Sequence, residues 1–148
     1  MAPFIVLVTL FALLSILGHV QIPVAFGWWT SLRLALAGMF LLTASAHRGK
    51  RRPDLIRMVP TSFPRPDLLV TVTGVLEILG AIGVMLSKVA PSAALGLTFM
   101  LLAVFPANVH AARQRLTIAG RPVEDLLPRS LLQIVFLATT IAVFVAGK

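Results

Sequence analysis

The feature that most limits how this chain can fold is a series of apolar segments separated by short polar ones. The five segments cover residues 3–18, 28–47, 68–87, 92–111 and 130–146. Each is close to the roughly 20 mostly apolar residues that an α-helix needs to cross the hydrocarbon core of a bilayer. We therefore predict an all-α fold, in which a single membrane domain over residues 1–148 forms a polytopic bundle of transmembrane helices.

The composition supports a membrane protein and narrows the chemistry. Hydrophobic residues make up 58% of the chain and charged residues 12%, against roughly 45–50% and 25% in soluble domains. The chain has no cysteine, which excludes disulfides and thiolate sites formed by this chain. It carries no phosphate-binding loop and no nucleophile motif, and its histidines are not spaced as a metal motif. We therefore predict no metal site and no catalytic residue, so that the chain is not an enzyme on its own.

The first apolar segment has two interpretations. Its core is short and lies at the start of the chain, as in a signal peptide, but no basic residue precedes that core. Apolar residues also resume at once, from Val20. We favour a retained helix, additional to the four that follow, and cleavage remains the alternative.

The basic residues predict the orientation of the chain. The net charge is +8. Lys88 and Lys148 fall on one predicted side of the membrane. Ten basic residues fall on the other side: Arg48, Lys50, Arg51, Arg52, Arg57, Arg65, Arg113, Arg115, Arg121 and Arg129. Because Lys and Arg mark cytoplasmic loops, we predict a multi-pass protein of the cell membrane with its N-terminus in the cytoplasm and its C-terminus outside. Nucleic acid is not an expected partner, because the charges lie between spans and form no soluble face.

The loop after the second segment is the predicted docking surface. Residues 54–59 are expected to form a short helix on the membrane surface, preceded by the basic run. Basic residues near a membrane attract anionic headgroups by about 1 kcal/mol each. The residues predicted to dock lipid or a protein partner are Arg48, Lys50, Arg51, Arg52 and Arg57. The alternative is that they serve only as a topology signal.

One acidic residue lies in the middle of a predicted span. Glu77 sits near the centre of segment 68–87, where a charge costs a few kcal/mol on insertion scales. It must therefore face the bundle, a cavity or a partner. We predict a carboxyl that binds a ligand or handles a proton. A structural carboxyl, hydrogen-bonded to a neighbouring helix, is equally compatible with the sequence.

Three further polar residues are predicted to share a cavity with Glu77. His47, Asn108 and His110 end the second and fourth segments at the basic side. Since Cβ atoms tilt toward the start of their helix, these side chains should lean into the membrane while Glu77 leans toward them. Glu77 is expected about 14 Å below the helix boundary, so water or a ligand would have to bridge it to the histidines. Interfacial histidines and a capping asparagine are the alternative.

Other polar residues in the spans have simpler predicted roles. Arg33 is expected to extend to the outer interface, and an ion pair between Arg33 and Glu77 is disfavoured because the two lean apart. Pro106 should kink its helix. Gln133 is predicted to hydrogen-bond to a neighbouring helix.

These segments also resemble a known family. The resemblance covers residues 33–146. Its motifs are Arg33-Leu34 with His47, Met58-Val59-Pro60 with Pro64 and Pro66, the run Gly74-Val75-Leu76-Glu77-Ile78-Leu79-Gly80-Ala81-Ile82-Gly83, and Phe105-Pro106-Ala107-Asn108-Val109-His110. With these motifs the chain resembles the DoxX family of small bacterial and archaeal membrane proteins. The resemblance implies a four-helix core, to which segment 3–18 would be an addition.

The resemblance also implies a class of function. Some members of that family are associated with thiosulfate:quinone oxidoreductase or with a membrane complex that joins superoxide dismutase to a sulfurtransferase. We therefore expect a membrane subunit or anchor of a redox or stress-related complex, which binds quinone and docks a cytoplasmic or membrane protein. A small proton-coupled transporter and a chaperone-like structural bundle are the alternatives. Because the bundle is thin, a homodimer is also expected.

Overall fold

The computed structural model describes residues 1–19 and 27–146. Within them the chain forms six α-helices: α1 (Ala2–His19), α2 (Trp28–Ala46), α3 (Arg52–Met58), α4 (Pro66–Met85), α5 (Ala90–Arg113) and α6 (Leu126–Ala146). A 3₁₀ turn, Gly49–Arg51, precedes α3. Strands β1 (Thr117–Ile118) and β2 (Arg121–Pro122) pair as an antiparallel hairpin. Val20, used above to favour a retained helix, and Lys148, counted on the outer side, lie outside the described residues.

Five of the described helices, α1, α2, α4, α5 and α6, are long and apolar enough to cross a membrane. The chain is therefore an all-α, multi-pass membrane bundle. These helices begin and end within four residues of the predicted segments. The short α3 overlaps the helix expected at residues 54–59.

The starts of the helices differ from the prediction where proline is involved. Helix α4 begins at Pro66 and not at residue 68, and Arg65 before it adopts a left-handed backbone with φ of 51°. Proline disfavours the α conformation of the residue that precedes it, yet fits the first helical position. Helix α6 likewise begins at Leu126 and includes Pro128 in its first turn. Proline in the first turn removes no internal hydrogen bond, so both helices can begin before the predicted segments.

The core of the bundle is formed by α2, α4, α5 and α6. Neighbouring contacts run from α2 to α4, α4 to α5, α5 to α6 and α6 back to α2, so the four helices close a ring. The largest fully buried side chains include Phe40, Leu36 and Leu97. Helix α1 lies against the outside of α2, where Phe11 and Trp28 meet edge to face with ring centroids 4.8 Å apart.

The loop after α2 and the loop after α5 meet at one end of the bundle. The amide N–H of Ala119, in the β1–β2 turn, donates to Asp54 Oδ2 of α3 at 2.8 Å, and Asp54 also pairs with Arg57. At the same end, the backbone nitrogen of Met1 lies 2.8 Å from Glu124 Oε1. The contact between Ala119 and Asp54 joins the loop after α2 to the loop after α5. Both loops are basic, and we call the surface that they share the basic end. The α4–α5 turn lies at the opposite end.

Candidate functional site

His47 of the loop after α2 meets Glu77 of α4 inside the bundle. His47 caps the end of α2, where its backbone N–H donates to the Ala44 carbonyl and the Arg48 N–H donates to the Ser45 carbonyl. Its ring Nδ1 lies 3.5 Å from Glu77 Oε2, and only 14% and 12% of the two side chains is exposed. The ring Nε2 lies 3.2 Å from the Thr73 hydroxyl. His47 thus bridges two residues one helical turn apart on α4.

Glycine at position 74 allows this close approach. Gly74 is buried on the face of α4 that His47 covers. A Cβ atom added there would lie 2.7 Å from His47 Cβ and 2.8 Å from Cγ. Real Cβ atoms do not approach so closely, because interiors are already packed to the density of organic crystals. The absence of a side chain at Gly74 therefore sets the position of the imidazole.

The hydrogen-bond partners of His47 are mostly acceptors. Nδ1 faces the Thr43 carbonyl at 3.3 Å as well as the Glu77 carboxyl. The Thr73 hydroxyl has one proton, and the carbonyl of Leu69 lies 2.9 Å from it. When that proton goes to Leu69, Nε2 must donate to Thr73 while Nδ1 donates to Thr43 or Glu77. The described surroundings therefore offer hydrogen-bond acceptors to both ring nitrogens.

The Glu77 carboxyl is incompletely satisfied. Its Oε2 is buried and accepts no hydrogen bond from the described residues, although His47 Nδ1 lies 3.5 Å away. The Thr43 side chain hydrogen-bonds to the same carboxyl. Buried polar atoms are nearly always paired, and an unpaired one marks strain, function or a missing partner. Oε2 is therefore the one atom of this pair that is ready to bind something else.

The direct contact corrects the expectation that Glu77 and the histidines are separated. That expectation assumed that the helices end at equal depths. Helix α4 instead begins at Pro66, and His47 lies beside Thr73, Gly74 and Glu77, which are more than one turn further along α4. Helix α3 packs against α4 and α5 beyond the end of α2. His47 is thus covered by the loop, and the pair forms without a bridge.

Arg52 fixes the end of α2 to the start of α4. Its guanidinium donates to the His47 carbonyl at 3.2 Å, to the Asp67 carbonyl at 3.1 Å and to the Thr71 hydroxyl at 2.8 Å. Two of the predicted docking residues therefore have partners within the chain. Arg52 makes these three hydrogen bonds, and Arg57 pairs with Asp54. The remaining three, Arg48, Lys50 and Arg51, are exposed.

Asn108 belongs to a second polar cluster, between α5 and α6. Its side chain accepts from Arg129 at 2.6 Å and donates to Gln133 at 3.4 Å. Gln133 also donates to the Leu101 carbonyl at 2.6 Å, near the backbone that Pro106 interrupts. The interhelical hydrogen bond predicted for Gln133 is thus confirmed. The structure does not join Asn108 to Glu77, because the hydrogen bonds of the two clusters have no residue in common.

His110 lies in the last turn of α5 and is half-buried. Among residues 1–19 and 27–146, no hydrogen bond or ion pair links it to His47 or Glu77. The single cavity predicted for four residues is therefore divided: His47 and Glu77 form one site, and Asn108 lies in another.

Several residues of the site were missed in the sequence. Thr43 precedes His47 by four residues, and Thr73 precedes Glu77 by four, so each pair lies on one helix face. That spacing was a usable signal. The roles of Gly74 and Arg52 depend on how α2 approaches α4, which the spacing within one helix does not reveal. Within the described ranges, no group of three His, Cys, Asp or Glu side chains could hold a metal ion.

Asp54 stabilises the hairpin at the basic end. The Ala119 amide and the Arg57 guanidinium hold the pKa of its carboxyl below the ordinary value. Ala119 and Gly120 form the two-residue turn, with φ of 51° and 75°, as in the turns that suit tight hairpins. The Asp54 carboxylate therefore supports a turn in which Ala119 has an unfavourable backbone conformation.

A family model, described as a domain of unknown function (DUF8561), matches residues 36–145. The chain belongs to the DUF8561 family. The matched range of this family includes His47, Glu77 and Asn108, and it begins within α2, after α1. No curated protein and no solved structure matches the chain. The resemblance to DoxX proteins is not tested by the match to DUF8561 and stays a prediction.

Proposed function

We propose that this chain is a DoxX-like membrane subunit or anchor of a redox or stress-related complex, and that the His47–Glu77 pair binds the head group of a quinone. The observation that carries the proposal is the buried Glu77 Oε2, which accepts no hydrogen bond from the described residues and lies 3.5 Å from His47 Nδ1. An intramembrane acid is costly and is most often retained for a functional reason.

The chemistry of the pair suits a quinone carbonyl. A protonated carboxyl or an imidazolium N–H donates to a carbonyl oxygen, and the ionised carboxyl accepts a proton back. The quinone would supply the redox chemistry. The chain itself would orient the head group, hold a proton at Glu77 Oε2 and replace that proton through His47. In this proposal, electrons would come from a partner protein of the complex.

An apolar groove between α4 and α5 suits an isoprenoid tail. It has a volume of about 240 Å³ and is lined by residues that include Leu76, Gly80, Gly96 and Met100. Leu76 and Gly80 lie within one helical turn of Glu77 on α4. Ligand sites in membranes and soluble proteins are mostly apolar, with a few polar groups that orient the ligand. The groove and the pair together provide both parts.

The basic end supplies a docking surface for the partner. Arg48, Lys50 and Arg51 are exposed there and, in this proposal, bind anionic headgroups or an acidic protein surface on the cytoplasmic side. The start of α1 lies at the same end, beside Glu124, which agrees with a cytoplasmic N-terminus and an outer C-terminus in the cell membrane. A homodimer would give the thin bundle a larger buried surface.

The proposal is tested by purification in a mild detergent, with two readouts. Organic extracts are assayed for quinone per mole of protein, and co-purifying proteins are identified by mass spectrometry. We expect quinone with the wild type and with the control variant Gly27→Ala, where an added Cβ would meet nothing within 4 Å, and much less with Glu77→Gln. A quinone-free wild type without any partner protein, or equal quinone in Glu77→Gln, would rule the proposal out.

A proton-coupled transporter is the second candidate, favoured by the same pair of titratable groups within a span. It predicts that vesicles containing the wild type acidify when solute is added, and that Glu77→Gln does not. Quinone binding predicts no such flux. A chaperone-like bundle, the third alternative, predicts that Glu77→Gln leaves both quinone content and flux unchanged.

A further inference from the structure

Arg33 lines a pocket at the end of the bundle opposite the basic end. It lies on α2, five residues after the first residue of that helix, Trp28. The pocket has a volume of about 250 Å³ and is lined by Trp29 and Arg33 of α2, Ser87 of the α4–α5 turn, Ala90 at the start of α5, and Val143 and Ala146 of α6. The side chain of Arg33 is half-buried there. Four elements thus surround one guanidinium within a membrane-spanning region.

No acidic side chain lies near Arg33. The sequence contains five acidic residues. Four of them, Asp54, Asp67, Glu124 and Asp125, lie in the loops and helix starts of the basic end. The fifth, Glu77, contacts His47, which follows Arg33 by fourteen residues on the same helix, or about 21 Å along its axis. None of the five acidic side chains therefore supplies the counter-charge of Arg33.

The local structure also lacks a neutral partner for this side chain. Among residues 1–19 and 27–146, the hydrogen bonds and ion pairs include none that the Arg33 guanidinium donates. Arginine is costly in the hydrocarbon region unless it is paired or reaches the interface. The pocket also borders the first residue of the 24-residue α5, and the start of a helix favours negative charge. The Arg33 guanidinium and the start of α5 would both be stabilised by a bound anion.

We propose that this pocket binds the phosphate-bearing headgroup of an anionic phospholipid from the leaflet at this end. Guanidinium forms paired hydrogen bonds to phosphate oxygens, which suits Arg better than Lys. Trp29 is the second residue of α2, and aromatic side chains near the ends of spanning helices are typical of the membrane interface. The apolar residues Val89 and Val145, next in sequence to lining residues, are exposed to receive acyl chains. A free phosphate has the same oxygens, but it lacks acyl chains to use those surfaces.

The two tryptophans make this pocket directly observable. Trp28 and Trp29 are the only tryptophans of the chain, and Trp29 lines the pocket. Lipid with brominated acyl chains quenches their fluorescence when it binds beside them, whereas lipid bound at the basic end lies too far away. The probe is brominated phosphatidylglycerol in mixed micelles, compared with brominated diacylglycerol, which lacks the phosphate. We expect the wild type to prefer the phospholipid by about tenfold, as paired hydrogen bonds between charged groups imply.

Substitutions of Arg33 test whether this side chain causes the preference for the phospholipid over the diacylglycerol. Arg33→Gln should abolish the preference, and Arg33→Lys should retain part of it because the charge remains. Arg51→Gln, which removes an exposed charge at the basic end, is the matched control and should leave the preference unchanged. Circular dichroism establishes that each variant is folded; should Arg33→Gln be unfolded, the partial loss in Arg33→Lys decides. Equal quenching by the two lipids, or an unchanged preference in both Arg33 variants, would overturn the proposal. Release of the lipid by millimolar glycerol 3-phosphate would overturn the assignment to a lipid source.

Discussion

His47 Nδ1 lies 3.5 Å from Glu77 Oε2, and the two residues come from different helices of the same bundle. The contact depends on three supporting features: Gly74 leaves space for the ring, Thr73 bonds to its far nitrogen, and Arg52 holds the carbonyl of His47. Thr73 and Gly74 are adjacent on α4, and Arg52 lies at the start of α3. Each feature can therefore be altered without replacing His47 or Glu77.

Replacing Gly74 with alanine should displace His47. The added Cβ would lie 2.7 Å from His47 Cβ, and overpacking of this kind costs about 1–3 kcal/mol. Gly96→Ala is the control, since nothing lies within 4 Å of a Cβ at that site. Unfolding in detergent, followed by tryptophan fluorescence, should show a lower midpoint for Gly74→Ala and an equal or higher one for Gly96→Ala. Equal midpoints for both variants would contradict the close approach.

Removing the Arg52 side chain should loosen the junction between α2 and α4. Arg52→Ala deletes three hydrogen bonds, to His47, Asp67 and Thr71. Because Arg52 is partly exposed, we expect the free energy of unfolding to fall by about 1–2 kcal/mol. This is at the lower end of the range for hydrogen bonds from charged donors. Arg51→Ala removes an exposed neighbour and should change the unfolding midpoint little. The prediction fails if the two variants unfold at the same midpoint.

The protection of the β1–β2 turn should depend on pH through Asp54. Its pKa is lowered in the folded chain, so its stabilising effect is present above the ordinary pKa of an aspartate, about 3.9, and is lost as the pH falls below it. Hydrogen-exchange protection factors at Ala119 should therefore be higher at pH 7 than at pH 3. In Asp54→Ala they should be low at both pH values, whereas Asp67→Ala should behave like wild type. A turn equally protected in Asp54→Ala would show that the carboxylate is not needed.

The absence of native cysteine allows a direct test of orientation. Ser62→Cys lies in the exposed loop before α4, and Lys88→Cys lies in the exposed α4–α5 turn. If the basic end is cytoplasmic, a membrane-impermeant maleimide should label Lys88→Cys in intact cells and Ser62→Cys only after permeabilisation. The reverse pattern would invert the proposed topology.

The sequence was sufficient to predict the long helices, but not how far each helix is displaced along its neighbours. Apolar length alone predicted the five long helices, because lipid requires each span to satisfy its own backbone. The four-residue spacing of Thr73 and Glu77 was also available in the sequence as a signal for the polar face of α4. The contact of His47 with that face was not predicted, because it depends on how far α4 extends past the end of α2. Arg52 was assigned to docking for the same reason: a basic loop predicts its side of the membrane, but which of its side chains fold back is decided by tertiary contacts.

The most direct test of the central claim is a magnetic resonance titration of the histidine rings. The ¹⁵N signals of His19, His47 and His110 are recorded in nanodiscs while a short-chain ubiquinone analogue is added, and His47→Gln assigns the signal of His47. If the His47–Glu77 pair binds the quinone head group, the signal of His47 will shift, those of His19 and His110 will stay, and Glu77→Gln will abolish the shift. A His47 signal that does not move, or that moves equally in Glu77→Gln, would contradict the account.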